Sequence, residues 1–544
     1  MSHLPSYLSG VSDTPLLGES IGENLSRTVE RLPDHEALVV RHQDFRCTYR
    51  ELWDRTTRLA KAMMAHGIQK GDRVAMWAPN RYEWVLVQYA TARIGAIQVN
   101  VNPAYKANEL AYALNKSGVR MLVMAERFRQ TDYVKLFDQV KGSCPTVEKV
   151  FNVDRDWDLM EAPADTIDDQ ALRDRELDNQ FDDPINIQYT SGTTGAPKGA
   201  TLSHHNILNN GYFVGKLLNY TEEDRICVPV PFYHCFGMVM CNLAATALGC
   251  TIVVPSETFD PGTALDAVQA ERCTSLYGVP SMFIAELNHP DFDAYDLSSL
   301  RTGIMAGSPC PIEVMKKVES RMNMRDVTIC YGMTETSPVS TQSKVDAPLE
   351  RRVSTVGTIH PHVEIKIIDP ATGRVVSRGV QGELCTRGYS VMVGYWNDPE
   401  ATAKAIDSVG WMHTGDLATI DDEGYVKITG RIKDMICRGG ENIYPREIEE
   451  YLYQHPEIED VQVIGVPSSK YVEEVMAWVK IRKGTCITEE DLVSFCRGQI
   501  ATYKIPRYWK FVEDFPMTVT GKVQKFVMRE QSTRELGLDE LLTA

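Results

Sequence analysis

The stretch from Tyr189 to Gly199 has the composition of a phosphate-binding loop, because it combines three glycines, four aliphatic hydroxyls and one lysine. Glycines let a backbone turn sharply and bring its N–H groups close to an anion, while hydroxyls add donors and Lys198 adds a positive charge. A flexible loop can have the same composition. The Walker A spacing is absent, since Gly192 is followed five positions later by Pro197 rather than by a Gly-Lys pair. The stretch therefore predicts a nucleotide cradle of another kind.

A second group of chemically useful residues, Tyr331-Gly332-Met333-Thr334-Glu335-Thr336, offers an aromatic ring, hydroxyls and a carboxylate directly after a predicted strand. A purine needs a flat apolar face to stack on, and Mg²⁺ prefers hard carboxylate oxygen. On its own the hexapeptide is equally compatible with a capped turn. Together with the glycine loop it predicts a site for ATP and Mg²⁺.

The order Thr-Ser-Gly-Thr-Thr-Gly-x-Pro-Lys-Gly, from Thr190 to Gly199, resembles the signature loop of the adenylate-forming enzymes. That superfamily includes acyl-CoA synthetases, peptide-synthetase adenylation domains and firefly luciferase. The resemblance extends from about Glu19 to Lys525, and six motifs occur in the order of the family. It assigns these loop residues to the nucleotide: Thr190, Ser191, Gly192, Thr193, Thr194, Gly195 and Lys198.

The resemblance also implies roles for the second group. Tyr331, beside Gly332, is expected to stack on adenine, Thr334 to contact the α-phosphate, and Glu335 to hold a Mg²⁺ ion that bridges the phosphates. The segment Gly307-Ser308-Pro309 resembles the family's adenine-edge segment, although a plain strand-to-helix turn is at least as compatible with these residues.

Two further segments supply the expected ribose contacts. His413-Thr414-Gly415-Asp416 contains a carboxylate, and Gly430-Arg431 contains a guanidinium. In the family these groups hold the ribose hydroxyls. The assignment suits Asp416, because one carboxylate can accept hydrogen bonds from two vicinal hydroxyls.

His234 lies in an apolar segment, Pro231-Phe232-Tyr233-His234-Cys235-Phe236-Gly237. A core histidine with a satisfied hydrogen bond is one interpretation. The resemblance implies instead that His234 gates passage between the carboxylate and thioester sites. A gate is favoured over acid–base catalysis, since a carboxylic acid is already ionised near neutral pH.

Three motifs near the end of the chain resemble the family's mobile C-terminal domain. Lys433 falls at the expected hinge, and the segment Gly439-Gly440-Glu441 falls where backbone lines the pantetheine channel. Lys522 falls at the lysine that spans carboxylate and phosphate during adenylation. Its distance in sequence from the glycine loop is typical of a lid that completes the site only when closed.

The elements around these motifs alternate between apolar strands and amphipathic helices. Thr48 and Glu51 form a capping box that opens a helix ending at Gly67. This alternation predicts an α/β fold in which a large N-terminal domain consists of stacked βαβ subdomains. The predicted strands of its two sections are 73–78, 96–101, 119–124, 185–189, 251–254, 275–277, 301–306 and 327–331.

The remaining segments carry different signals. Residues 154–183 are acidic and weakly patterned, which predicts a surface loop. Short β segments broken by glycine between 354 and 425 predict a small distorted β-barrel. The segment beyond about Ile432 predicts a small α+β unit, with helices near 445–454 and 489–498. The predicted domains are residues 1–432, holding ATP and the acyl group, and 433–544, a mobile lid.

Composition limits the partners. A chain of 544 residues with a net charge of −17 is not expected to bind nucleic acid, and no run is long and apolar enough for an integral membrane segment. Thirteen cysteines without a Cys-x-x-Cys pair indicate reduced thiols rather than a disulfide framework. The first residues show no leader peptide, so the expected location is cytoplasmic.

The predicted function is that of an AMP-forming acyl-CoA synthetase, an acid–thiol ligase in which ATP activates the acid and coenzyme A displaces AMP. An aryl-acid CoA ligase and an acyl-AMP ligase that loads a carrier protein are alternatives. Luciferase-type oxygenation shares every motif, and a nucleotide-binding regulator would not need Glu335 and Lys522.

The acid is expected to be a medium- to long-chain fatty acid. In acetyl-specific relatives a tryptophan that walls off the pocket occupies the position of Gly332, so Gly332→Trp is expected to favour short acids. The segment around Lys522 also resembles one that protein acetyltransferases modify in related ligases. A lysine acetyltransferase and a deacetylase are therefore possible partners in the sequence-based interpretation.

Overall fold

The structure is a computed structural model that describes residues 4–190, 197–439, 441–518 and 521–542. These residues form two large α/β sheets, a five-stranded antiparallel sheet and a small C-terminal α+β unit. The predicted fold class is confirmed. None of the helices in the described ranges is long and apolar enough to cross a membrane.

The first sheet has seven strands, and the two ends of the glycine loop lie on Pro184–Thr190 and Lys198–Ser203, neighbouring strands that pair antiparallel near one edge. Its helices include Tyr49–Ala65, which begins with the predicted capping box because Thr48 and Glu51 bond to each other's backbone N–H. The strands, in sheet order, are Gly394–Tyr395, Lys198–Ser203, Pro184–Thr190, Ile97–Asn100, Arg73–Trp77, Val119–Met124 and Lys149–Asn152. The other helices are Tyr82–Ile94, Ala107–Ser117, Tyr133–Val140, Trp157–Glu161 and Asp169–Leu177, and a hairpin joins Arg127–Phe128 to Thr131–Asp132.

The second sheet has nine strands, of which the six central ones are parallel. Ligands of such sheets bind beyond the carboxyl ends of the strands. The strands, in sheet order, are Thr358–Ile359, Val339–Gln342, Asp326–Gly332, Thr302–Ala306, Ser275–Gly278, Arg225–Cys227, Thr251–Val254, Glu36–Val40 and Phe45–Thr48. The helices are Ile21–Arg31, His204–Leu217, Cys235–Gly237, Met238–Leu243 (a π-helix), Ala244–Leu248, Pro261–Glu271, Pro280–Leu287, Ile312–Arg321 and Leu349–Ser354.

The predicted barrel is an open antiparallel sheet of five strands. They are, in sheet order, Tyr7–Ser9, Val363–Ile368, Gly382–Gly388, Met412–Ile420 and Val426–Arg431. In the sequence, the helix Pro399–Ala405 follows Gly394–Tyr395, the edge strand of the first sheet, and precedes Met412–Ile420. Its apolar face joins the core of the second sheet, where Ile365, Leu384 and Ile420 are buried together. This packing fixes the antiparallel sheet against the second α/β sheet.

The C-terminal unit has its own apolar core, in which Ile448, Val463 and Leu492 are fully buried. Its strands are Glu441–Ile443, Ile436–Arg438, Val472–Ile481 and Ile458–Ser468, with Tyr508–Phe511 also paired to Val472–Ile481. Its helices are Pro445–Leu452, Glu489–Cys496 and Lys525–Glu535. The last strand of the preceding sheet ends at Arg431, so only a single 3₁₀ turn, Ile432–Asp434, connects the two parts.

The prediction of a surface loop at 154–183 was wrong. Two α-helices, Trp157–Glu161 and Asp169–Leu177, and a 3₁₀ turn occupy this segment. Asp168 caps the second helix by accepting a hydrogen bond from the Ala171 N–H. The apolar pattern of this segment is weak, and tertiary contacts stabilise the helix instead. Glu176 in the second helix pairs at 2.6 Å with the buried Arg93.

Candidate active site

The glycine loop joins two antiparallel strands, and Thr190 faces Lys198 across this hairpin. The predicted contacts of Ser191, Gly192, Thr193, Thr194 and Gly195 lie outside the described residues, as does that of Gly440. The residues at the two ends of the loop lie close to Glu335 or to its hydrogen-bond partner Tyr395. The Thr190 hydroxyl donates to Oε1 of Glu335 at 3.1 Å, and Lys198 Nζ lies 5.0 Å from the ring centre of Tyr395.

Glu335 is the buried carboxylate of this site. It lies in the 3₁₀ turn Thr334–Thr336, which directly follows the parallel strand Asp326–Gly332, and it is 5% exposed. Its Oε1 accepts hydrogen bonds from the hydroxyls of Thr190 and Tyr395, at 3.1 and 2.9 Å. Two donors on one oxygen fix the orientation of the carboxylate.

Tyr331, Asp416 and Arg431 come together from three strands, as the predicted nucleoside contacts require. The Tyr331 hydroxyl donates to Oδ2 of Asp416 at 2.7 Å, while Arg431 Nε donates to Oδ1 at 2.7 Å. Asp416 is 5% exposed. Burial raises the pKa of Tyr331, and the charge of Asp416 raises that pKa further, so the hydroxyl stays protonated as a donor.

Lys522 reaches this site from the C-terminal unit. A hairpin turn holds it, because the Lys522 N–H donates to the Thr518 hydroxyl at 3.1 Å, and the preceding Gly521 carbonyl accepts from the Ser281 hydroxyl at 3.3 Å. A Cβ added at Gly307 would lie 3.4 Å from Lys522 Cε, so the lysine stem passes against this glycine. Burial lowers the pKa of Lys522, and the nearby Arg431 lowers it further.

The segment Gly307-Ser308-Pro309 lies beyond the carboxyl end of the strand Thr302–Ala306, with Gly307 beside Lys522, and its role at the adenine edge stays a prediction. Gly307 has a left-handed φ of 91°, which a side chain would strain. Gly332 is equally constrained by space, since a Cβ there would lie 1.7 Å from the Pro338 carbonyl oxygen. The expected Gly332→Trp substitution is therefore incompatible with this backbone.

His234 is neutral in this structure. Its Nδ1 accepts from the Phe236 N–H at 3.1 Å, and burial lowers the pKa of His234 to about 3, with the charge of Lys522 as a second cause. A neutral imidazole next to the lysine is compatible with a gate. The structure also places the following thiol in the site, because Cys235 Sγ donates to Gln188 Oε1 at 3.0 Å and pairs with the Thr334 hydroxyl.

The remaining predicted residues lie on the C-terminal unit or in the turn that connects it to the preceding sheet. Lys433 is exposed in the connecting 3₁₀ turn. Gly439, with a φ of 60°, lies next to the ring of Tyr471, and Glu441 pairs with Arg438 in a two-stranded ladder. In this arrangement the C-terminal unit places Lys522, rather than Gly439 or Glu441, beside Gly307.

Sequence reasoning missed Tyr395, Cys235 and Gln188. Tyr395 lies on a two-residue strand that pairs with the strand after the glycine loop, opposite Ala200. The sequence around it carries no pattern that predicts a contact with Glu335, 60 positions away. Cys235 could have been found, since it is adjacent to the predicted gate residue His234.

Comparisons with known proteins agree with this geometry. The family model described as AMP-binding enzyme matches residues 25–396, and the model of the AMP-binding enzyme C-terminal domain matches residues 447–522. "Putative acyl-CoA synthetase YngI" of Bacillus subtilis is 48% identical, covering 96% of this chain and 99% of that protein. The "Medium-chain acyl-CoA ligase ACSF2, mitochondrial" of Danio rerio is 45% identical, covering 98% of this chain and 91% of that protein.

Solved structures show the same fold. The crystal structure of ATP-bound MatB from Rhodopseudomonas palustris superimposes with a TM-score of 0.80 at 30% identity, covering 94% of this chain and 98% of that one. The anthranilate CoA ligase AuaEII in complex with anthranoyl-AMP gives a TM-score of 0.86 at 24% identity, covering 95% and 98% of the two chains.

These matches confirm the predicted enzyme class, an AMP-forming acid–thiol ligase. The family match covers most of the chain in one segment and continues into the C-terminal unit that carries Lys522. The chain belongs to the AMP-binding enzyme family, the adenylate-forming enzymes whose signature loop it carries between Thr190 and Gly199.

Proposed function

We propose that this protein is an acyl-CoA synthetase for medium-chain aliphatic acids. The acid and ATP form an acyl-adenylate and pyrophosphate, and the thiol of coenzyme A then displaces AMP. The observation that carries the proposal is the position of Lys522, which the C-terminal unit delivers against Gly307, next to residues suited to an adenylate.

The first half-reaction uses the closed arrangement, by which we mean the one in this structure, with Lys522 against Gly307. Thr334 and the Thr190–Lys198 hairpin approach the phosphates, and Tyr331 and Asp416 hold the nucleoside. The carboxylate of the acid attacks the α-phosphorus, and the bond to pyrophosphate breaks. Lys522 neutralises negative charge on the carboxylate and α-phosphate as they approach each other, which preorganised cations do efficiently in a site shielded from water.

Glu335 has the properties of the proposed Mg²⁺ ligand. Its carboxylate is buried, and the hydroxyls of Thr190 and Tyr395 orient it through one oxygen. Hard carboxylate oxygen suits Mg²⁺, which also binds substrate phosphates. When bound, the ion would neutralise charge on the triphosphate.

The second half-reaction needs a different lid position. The domain boundary is proposed at residues 432 and 433, inside the 3₁₀ turn that connects the two parts. Rotation about Lys433 would withdraw Lys522 and bring Gly439, Gly440 and Glu441 to the acyl-adenylate. The backbone of these residues would then line the channel for the pantetheine arm of coenzyme A.

Chain length is proposed from two features. Relatives at 41–45% identity carry the name medium-chain acyl-CoA ligase. Gly332 offers no side chain that could block the pocket, and each methylene that enters an apolar pocket contributes about 0.8 kcal/mol. Because Gly332 tolerates no Cβ, the acid preference cannot be tested by substituting this residue.

Location and modification are separate proposals. A cytoplasmic location is proposed for this chain, although several of its animal relatives carry the word mitochondrial in their names. Acetylation of Lys522 would remove its charge and block adenylation. An acetyltransferase would need the lid open, since the closed lid places Lys522 against Gly307.

The test is a substrate panel that includes acetate, octanoate, palmitate, benzoate and anthranilate, with pyrophosphate and acyl-CoA measured separately. We expect kcat/KM for octanoate to exceed that for acetate and benzoate by more than about tenfold, as several buried methylenes require. A higher value for an aryl acid would favour the aryl-CoA ligase alternative. Pyrophosphate release without acyl-CoA would favour a carrier-loading ligase.

A further inference from the structure

The strand that carries Asp416 contains a bulge. Glu383 lies opposite Leu417 in the ladder, and Cys385 lies opposite His413. A step of two residues on one strand therefore faces a step of four on the other, so residues 414–416 have no ladder partner on the strand Gly382–Gly388. On its other side Asp416 stays paired with Arg431 of the following strand, and its carboxylate bonds to Tyr331 and Arg431.

A bulge removes ladder partners from its backbone N–H groups, and a buried N–H without a partner is costly. Side chains supply the partners here. The Gly415 N–H donates to Oε1 of Glu383 at 3.1 Å, and the Asp416 N–H donates to the Thr414 hydroxyl at 3.1 Å. Thr414 in turn donates to the Leu384 carbonyl at 2.7 Å.

The second carboxylate oxygen of Glu383 contacts His413, at the other end of the bulge. Glu383 Oε2 lies 3.1 Å from Nδ1 of His413, and the Cys385 thiol lies 3.7 Å from the same nitrogen. The Glu383 side chain is only 12% exposed. One largely buried carboxylate thus bonds to His413 and to Gly415, the two residues on either side of Thr414.

We propose that Glu383 is a positioning residue that sets the conformation of the 413–416 bulge and thereby selects ribonucleotides at Asp416. The inference rests on the proposed role of Asp416 in holding the ribose. Glu383 acts through the Gly415 N–H and His413, so its loss lets Asp416 move from the position where one carboxylate accepts from two vicinal hydroxyls. Gly415 has a left-handed φ of 71°, a conformation that glycine adopts without strain.

A cation is the other possible occupant of this cluster, because ligand atoms of Glu383, Cys385 and His413 lie within 4.8 Å of one another. The hydrogen bonds favour the positioning role, since Glu383 already bonds to Gly415 and His413 through its two oxygens.

The experiment compares adenylation with ATP, 2′-deoxy-ATP and 3′-deoxy-ATP, using octanoate and pyrophosphate release. The variants are Glu383→Gln and Glu383→Ala. The control is Glu364→Gln on the neighbouring strand, which loses a carboxylate paired with Arg387. Thermal unfolding midpoints show whether each variant is folded, and zinc content is measured in the purified wild type.

We expect Glu383→Gln to reduce the preference for ATP over the deoxy analogues by about tenfold, the effect of one hydrogen bond to a charged group, through a higher KM for ATP. Glu383→Ala should lose more, and Glu364→Gln should keep the wild-type preference. A general loss of packing would instead lower the rates with all three nucleotides equally, which would overturn the inference. Stoichiometric zinc bound by the wild type and lost in Cys385→Ser would also overturn it.

Asp416→Asn separates this inference from the proposed function. If Asp416→Asn keeps the wild-type preference for ATP, the proposed ribose contact fails. If Asp416→Asn loses that preference while both Glu383 variants keep it, the ribose contact stands and the positioning role of Glu383 fails.

Discussion

The Tyr395 hydroxyl donates a hydrogen bond of 2.9 Å to Oε1 of Glu335. The same ring lies 5.0 Å below Lys198 Nζ. One tyrosine therefore connects the lysine of the glycine loop to the proposed Mg²⁺ ligand. Burial raises the pKa of Tyr395, and Glu335 raises that pKa further, so the hydroxyl remains a donor at neutral pH.

Tyr395→Phe should weaken adenylation by about tenfold, because a hydrogen bond to a charged group contributes about 1.5–3 kcal/mol. The Mg²⁺ concentration that gives half-maximal pyrophosphate release should rise as well, since Glu335 loses one of two donors. Tyr7→Phe is the matched control, because Tyr7 also donates to a glutamate, Glu364, outside the site. An unchanged Mg²⁺ dependence in Tyr395→Phe would show that Tyr395 does not orient Glu335.

Lys522→Ala should lower acyl-adenylate formation by about a hundredfold, the cost of removing one preorganised charge of roughly 3 kcal/mol. Thioester formation from supplied acyl-adenylate should continue, since the proposed rotation removes Lys522 from the site. Lys525→Ala is the control, because Lys525 pairs with Glu449 at 2.6 Å within the C-terminal unit. Equal losses in both half-reactions of Lys522→Ala would contradict this division.

Lys433→Pro should slow thioester formation on the order of tenfold or more and spare adenylation, because proline fixes φ at the proposed hinge. The connecting turn is closed by the Met435 N–H, which donates to the Arg431 carbonyl at 3.1 Å, so proline at 433 leaves that bond intact. Lys433→Ala keeps backbone freedom and should keep the wild-type ratio of the two half-reactions. The hinge assignment fails if Lys433→Pro also keeps that ratio.

Glu286 should be a source of instability at neutral pH. It is 1% exposed, and burial raises its pKa well above the usual value near 4.5, so the folded protein holds it protonated. The unfolded chain releases that proton above about pH 4.5, so folding loses about 1.4 kcal/mol for each pH unit up to the raised pKa.

Glu286→Met should therefore raise the thermal unfolding midpoint at pH 7.5 by several degrees, because the folded protein no longer has to keep this group protonated. The difference from wild type should shrink as the pH falls towards 4.5. Glu313→Met on the surface should show no such pH dependence, because Glu313 is exposed and pairs with Lys316. A constant difference across the pH range would show that Glu286 does not titrate on unfolding.

Much of the fold was predictable because its signals act over a few residues. Thr48 and Glu51 cap the helix Tyr49–Ala65 as expected, and the strand Val119–Met124 has the predicted bounds. Apolar periodicity and caps depend on neighbours in sequence. The helices Trp157–Glu161 and Asp169–Leu177 were missed, since contacts such as Arg93 with Glu176 stabilise them across 83 positions.

The sequence by itself determined the residue types of the site, its family and the reaction, because Thr190–Gly199, Tyr331–Thr336 and Lys522 keep their chemistry wherever they lie. Only the tertiary structure decided which groups meet. Tyr395 reaches Glu335 and Glu383 reaches Gly415 through sheet pairing and a bulge, and neither contact leaves a local pattern. Close packing also decided that Gly332 can carry no side chain, because the nearest atom belongs to the turn six residues later.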